Sequence, residues 1–225
     1  REAVATFRLG RMAPEEIRHR TEMGGFEAGR KAAERANAPI VVTGHFGNWE
    51  MGGASIAAHG VPIDVVAQRQ RNPLFDADLT ANRRRLGMTV VERRDAPRQV
   101  LRALRSGKAV GIVGDQNVRH GGVFVEFFGR PASTARGAAL FAVRTGCPLF
   151  VGLAKREKGF PQRYRMMFEA VDFEPSGDME EDAVRVTAAH TQYLEEGVRT
   201  WPEQYFWQHR RWKTRPPGDA RSGMV

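Results

Sequence analysis

Short apolar runs alternate along this chain with polar stretches of helical spacing. Ile40–Thr43, Ile63–Ala67, Met88–Val91, Val110–Val113 and Leu149–Leu153 each have the length and content of one buried strand. The segments between them, near 49–58, 75–86, 96–106 and 134–146, read as helices. Strand and helix in alternation predict an α/β fold, a mostly parallel central sheet flanked by helices. Further on, Arg163–Phe173 places Tyr164, Met166, Phe168 and Val171 on differing faces and reads as a later strand, antiparallel to the rest. A long polar helix follows from about Met179 to Thr200. Gly24 and Gly25 interrupt the amino-terminal helical part. No repeat, low-complexity tract or dividing linker stands out, so residues 1–225 are expected to form one domain, with 216–225 a flexible tail.

Composition sharpens this picture in three ways. Lys and Arg number 35 against 26 Asp and Glu, a net charge of +9, which favours an anionic partner: nucleic acid, an acidic membrane surface or a phosphorylated substrate. The single cysteine, Cys147, excludes an intrachain disulfide and lies in an apolar run as a buried thiol. No window of 18 residues is free of charge, so nothing reads as a membrane span. The sequence opens at Arg1 without an initiator Met or signal peptide, and the expectation is that an amino-terminal anchor has been left off.

The stretch most able to carry chemistry is Gly44-His45-Phe46-Gly47-Asn48-Trp49-Glu50. It puts a histidine at the carboxyl end of a strand, with Asn48 as cap of a helix from Trp49 towards Ala58 and Glu50 on its first turn. An imidazole there suits a general base. A carboxylate separated from it by four residues can fix its tautomer, and amides at the helix start near Asn48 can face an oxyanion. Set against this, a first-turn Glu is common for dipole reasons alone, and a lone His at a strand end is usually structural.

Further candidates are spread along the chain. Gly114-Asp115-Gln116-Asn117 follows the fourth apolar run, where ligands collect in open α/β sheets; the plainer reading is a strand-to-loop turn. In Phe127–Thr134 the paired phenylalanines suit an acyl channel or simple core, and Ser133 or Thr134 is expected to cap the helix to Arg144. Three of the four tryptophans fall between 201 and 212, interleaved with His209, Arg210, Arg211 and Lys213. That mixture fits a membrane interface, a single-stranded nucleic acid or a structural tail packed on the sheet. Arg69 and Arg71, before the Asn72-Pro73 turn, and Arg83, near the end of the next helix, are candidate phosphate contacts. No G-x-S-x-G elbow, Cys/His zinc spacing or Walker loop is present.

Gly44–Glu50, the Arg71-Asn72-Pro73 turn, Asp115-Gln116, Phe127 through Gly137, and Glu203-Gln204-Tyr205 through Arg215-Pro216 occur here in one order. Together they resemble the bacterial lipid A biosynthesis acyltransferases, the lauroyl and myristoyl transferases of the lysophospholipid acyltransferase superfamily, from about Phe7 to Gly218. The resemblance implies transfer of a fatty acyl group from acyl carrier protein or acyl-CoA to a hydroxyl of a lipid A precursor or similar glycolipid. It implies a site at the cytoplasmic face of the bacterial inner membrane, a glycerolipid acyltransferase-like fold, no metal and no redox cofactor. His45 would match the general base and Glu50 its orienting carboxylate. Asn48, Arg69, Arg71, Arg83, Asp115, Gln116, Thr134, His209, Arg210 and Arg211 would lie against substrate. The family often has arginine four residues before the Asn72-Pro73 turn; Gln68 stands there in this chain, which leaves Arg69 and Arg71 as alternatives for a phosphate contact. An anionic membrane surface is the expected partner and nucleic acid is not. The related mannoside acyltransferases commonly carry aspartate at the place of Glu50, which favours the lipid A branch.

Overall fold

The computed structural model describes residues 9–34 and 38–218. All five apolar runs become strands of one parallel array, in the order β8-β2-β5-β3-β4. They are β2 (Ile40–Thr43), β3 (Ile63–Ala67), β4 (Met88–Glu92), β5 (Ala109–Val113) and β8 (Leu149–Arg156). Beyond β8 the sheet continues with β9 (Tyr164–Ala170), antiparallel to β8 as its sequence suggested, and β1 (Thr21–Gly24), parallel to β9. β1 was not foreseen: Gly24 closes this edge strand rather than interrupting a helix.

Helices cover both faces, and the core is correspondingly double. On one face Ile17 of α1 (Pro14–Arg20) and Met51, Ala54 and Ile56 of α3 (Trp49–Ala58) meet Ile63, Met88, Ala154 and Met166; α2 (Phe26–Glu34) adds Phe26 to this layer. On the other, α5 (Ala96–Arg105), α6 (Gly137–Thr145) and α7 (Met179–Thr200) close over Ile40, Val42, Val110, Leu149 and Val151. Each buried aliphatic side chain is worth about 1.5–3 kcal/mol, so strands buried on both faces must read as continuous apolar runs, which is why they were legible. The helix α4 (Pro73–Arg85) connects β3 to β4, its amino end capped by the Asn72 side chain, which accepts from the amides of Leu74 and Phe75. Among the described residues no helix is long and apolar enough to cross a membrane.

One expectation fails. Residues 122–135 form an antiparallel hairpin, β6 (Gly122–Phe127) and β7 (Arg130–Ala135), turning through Phe128 and Gly129, both at positive φ. Thr134 is therefore a strand residue, and α6 begins at Gly137 with no side-chain cap. Val123, Val125 and Phe127 alternate at strand spacing, and Ser133 and Thr134, which resemble a helix cap, belong to the partner strand. Of the expected tail, residues 219–225 lie outside those described.

The strand β2 ends in a turn that only glycine satisfies. Gly47 has φ +52°, and a Cβ there would lie 1.9 Å from the Ala154 carbonyl oxygen. Gly47→Ala should therefore destabilise the fold by roughly 2 kcal/mol or more, read as a lowered urea midpoint with an unchanged slope.

Candidate active site

β2 and β5 are hydrogen-bonded neighbours in which Thr43 faces Val113. Two residues further along each, the chains leave the sheet side by side, and His45 arrives opposite Asp115. The Asp115 carboxylate takes both available donors: His45 Nδ1 lies 2.7 Å from Oδ1, and the His45 amide donates to Oδ2 at 2.9 Å. Gly44 makes the approach possible, since a Cβ there would press Leu194 and sit 3.2 Å from Asp115 Oδ2. The Tyr205 phenol lies close enough to influence the carboxylate as well.

Asp115 is only 4% exposed. Burial alone would raise its pKa, but the His45 hydrogen bonds and charge, with that of Tyr205, outweigh burial and hold the carboxyl below its ordinary range. The reciprocal effect falls on Tyr205, whose phenol is pushed well up by burial and by the Asp115 charge. An ionised Asp115 on Nδ1 assigns the ring proton to that nitrogen, leaving Nε2 as a free base. Nε2 is on the accessible side, with Gln116 Nε2 at 3.4 Å and the Trp49 ring edge-on, centroids 4.7 Å apart.

Glu50 does not take the role that its spacing suggested. Its carboxylate is held by Arg83 in a forked pair, at 2.5 Å from one guanidinium nitrogen and 3.0 Å from Nε, both side chains largely buried. The physical reason is helical geometry: a residue on the first turn of α3 projects sideways onto α4, whereas β5 delivers Asp115 straight to His45. Arg83 is thus a partner of Glu50 rather than an unengaged phosphate contact.

Four other candidates are likewise engaged within the protein itself. The Asn48 side chain is buried and caps its own helix, accepting from the Met51 amide at 2.9 Å. Thr134 is fully buried, its hydroxyl bonded to the Ala132 carbonyl and to Arg211. Arg211 is 2% exposed, donates to the Ser133 carbonyl at 2.9 Å and lies over the Phe127 ring. It locks the carboxy-terminal segment under the hairpin instead of meeting substrate. His209 Nε2 accepts from the Asn117 amide at 2.8 Å, so that ring too is committed to the scaffold. Arg69, Arg71 and Arg210 are exposed, Arg69 at 3.7 Å from Asp76.

The amides near Asn48 are only partly available. Those of Gly47 and Asn48 donate to the carbonyls of Gln204 and Ala154. Those of Trp49 and Glu50, the first two of α3, have no acceptor among the described residues, as a helix start requires. Beneath them an apolar cavity of about 70 Å³ runs between α3 and the sheet. Thr43 and Val113 line it at the strand ends and Trp49 at the start of α3, with Ile56, Ile63 and Met88 and the glycines Gly52, Gly53, Gly111 and Gly152 completing the wall. Trp49 joins the two features, touching His45 and walling the cavity.

The site thus sets a histidine, held through Nδ1 by a buried carboxylate, beside an apolar cavity. The sequence model of the family described as bacterial lipid A biosynthesis acyltransferase matches residues 1–214. The chain belongs to this family. It is 30% identical over 200 residues to the lipid A biosynthesis lauroyltransferase of Escherichia coli K12, covering 88% of this chain and 63% of that protein. It is 28% identical over 193 residues to the lipid A biosynthesis palmitoleoyltransferase of the same organism, covering 84% and 61%. A phosphatidylinositol mannoside acyltransferase of Mycolicibacterium smegmatis matches at 26% over 123 residues, 53% of this chain and 40% of that one. The chain thus spans a little under two thirds of the length of these two Escherichia coli relatives.

Sequence reasoning overlooked His190, which lines a small buried cavity together with Asp115. His190 of α7 is buried, and its pKa is lowered to about 4, first by burial and also by the nearby Arg211 charge. It is neutral when folded and ordinary when unfolded. Between pH 6.5 and 4 the unfolded chain therefore binds the extra proton, and stability present above pH 6.5 falls as pH drops, by on the order of 3 kcal/mol for this group. Urea titrations across that window should show the fall in the natural protein and a flatter profile in His190→Leu.

Proposed function

We propose that this chain transfers a fatty acyl group from acyl carrier protein or acyl-CoA to a hydroxyl of a lipid A precursor or a similar glycolipid. His45 Nε2 takes the hydroxyl proton as the oxygen attacks the thioester carbonyl. Asp115 holds the tautomer and steadies the imidazolium. The amides of Trp49 and Glu50, with Gln116, are placed to receive charge on the carbonyl oxygen. When the tetrahedral intermediate collapses, the C–S bond breaks and the His45 proton passes to the departing thiolate. The acyl chain lies in the cavity walled by Trp49. The observation carrying this reading is the 2.7 Å contact of His45 with a buried carboxylate beside that cavity.

In this scheme Glu50 is a positioning residue: paired with Arg83, it fixes the first turn of α3 and so the Trp49 ring and the oxyanion amides. Arg69, Arg71 and Arg210 are left exposed for phosphates of the acceptor and for an anionic membrane, at the cytoplasmic face of the bacterial inner membrane. Similarity to a mannoside acyltransferase supports, as a second reading, a glycolipid acceptor of another class.

Acyl transfer from a panel of acyl carrier protein and acyl-CoA donors to a lipid A precursor and a mannosylated glycolipid tests the proposal. His45→Ala should lower kcat about 10³-fold or more and Asp115→Asn about 10²-fold or more, each with unchanged circular dichroism. Glu50→Gln should act largely through stability. Full transfer by His45→Ala would refute the mechanism.

The same assay reads the cavity. A Cβ at Gly53 would stand 2.6 Å from Met88 Sδ and push that side chain into the channel. Gly53→Ala should move donor preference towards acyl chains shorter by about two methylenes, each buried methylene being worth about 0.8 kcal/mol.

A further inference from the structure

Because β3 runs parallel to β2, its carboxyl end lies on the same edge of the sheet as His45. There residues 68–72 carry the chain out to the amino end of α4. Arg83, in the last turn of α4, reaches Glu50 at the start of α3. Leu74 is nine residues earlier on the same helix, so it stands about 13 Å along the axis from that anchor. Its side chain is 81% exposed, and that of Phe75 beside it 39%.

This tip is exposed without being loose. Asn72 accepts from the amides of Leu74 and Phe75 at 3.0 and 3.2 Å, Pro73 fixes the first helical residue, and the Gln70 amide donates to Asp76 at 2.8 Å. A leucine held out on a capped, proline-started helix end loses apolar burial and gains nothing within this fold. Its neighbours are cationic. Arg71 is exposed with no carboxylate within 4 Å among the described residues, and Arg69 is 69% exposed at the side chain. The nearby carboxylates are spoken for: Asp76 by Gln70 and Arg69, Glu92 by Arg94 at 3.0 Å with Arg69 at 4.0 Å, and Asp78 by Asn82. On the same edge Phe206 and Trp207 are also close to half exposed, with the Phe206 ring 6.0 Å from that of His45.

We infer that the amino end of α4 is a membrane-docking element: Leu74 and Phe75 enter the headgroup region of an anionic bilayer while Arg69 and Arg71 meet its phosphates. Apolar residues ringed by arginine on an otherwise polar surface, in a chain of net charge +9, are complementary to that surface and not to a neutral one. The inference rests on the lipid-acceptor reading only for its purpose, which is to bring the edge carrying His45 down onto the layer that holds the acceptor.

The test uses the buried state of Cys147, which leaves one reactive thiol in a Leu74→Cys variant. Labelled with an environment-sensitive fluorophore, that position should shift to the blue on phosphatidylglycerol-containing vesicles and stay unshifted on phosphatidylcholine alone. Phe160→Cys, at the 97% exposed Phe160 between β8 and β9, should not respond. The double variant Leu74→Asp/Phe75→Asp should lose about tenfold or more in affinity for the anionic vesicles. It should keep its fold and its transfer to a detergent-dispersed acceptor. Unchanged vesicle binding by the double variant, an equal shift at both labelled sites, or no vesicle binding at all would overturn the inference. A blue shift at position 74 in a protein that acylates no lipid would leave the docking element standing and remove the proposed reaction.

Discussion

A carboxylate buried at the end of a central strand sets the terms for the rest of this molecule. Leaving an ionised Asp115 without partners at 4% exposure would cost several kcal/mol, so its surroundings must supply donors from every side. The donors are the amide and ring of His45 after β2, and the Tyr205 phenol after α7 lies close enough to favour the charged form. Gly44 is small enough to let the carboxylate in, and Leu194 of α7 packs where a larger residue would stand. The demand of one buried charge thereby fixes which strands are neighbours at the site and where the carboxy-terminal segment returns.

That segment is the second organising element. Phe46 and Tyr205 form an isolated bridge, the Phe206 amide donates to the His45 carbonyl at 3.0 Å, and Gln204 bonds the backbone of Arg156 in both directions. Farther on, Arg211 is driven into the space under the β6–β7 hairpin and Thr214 pairs with Asn117. The aromatic and basic composition of residues 201–215, readable as a surface for lipid or nucleic acid, turns out to divide: Arg211, Trp212 and Tyr205 are internal fastenings, and Phe206, Trp207 and Arg210 face outward.

How much of this was legible follows from what each residue answers to. The five parallel strands and α7 were read with little error because burial on two faces, or a capped amphipathic run, is written in consecutive residues. The hairpin was lost since Ser133 and Thr134 carry a helix-cap signal that tertiary contacts with Val118 and Arg211 override. His45 and Asp115 were both picked out, but the pairing went to Glu50, because spacing within one motif is visible in a sequence and adjacency of β2 and β5 is not. Nothing local in Arg211 distinguishes a buried guanidinium from the exposed one at Arg210; only the fold decides.

The strap across His45 also bears on biosynthesis. Tyr205 and Arg211 follow every strand and helix of the sheet in chain order, so during translation the layers can assemble while the Asp115 carboxylate still lacks its phenol and the hairpin its fastening. Only when residues 201–215 cross the strand ends does the turn after β2 gain its bridge from Phe46 to Tyr205, and the hairpin its buried guanidinium.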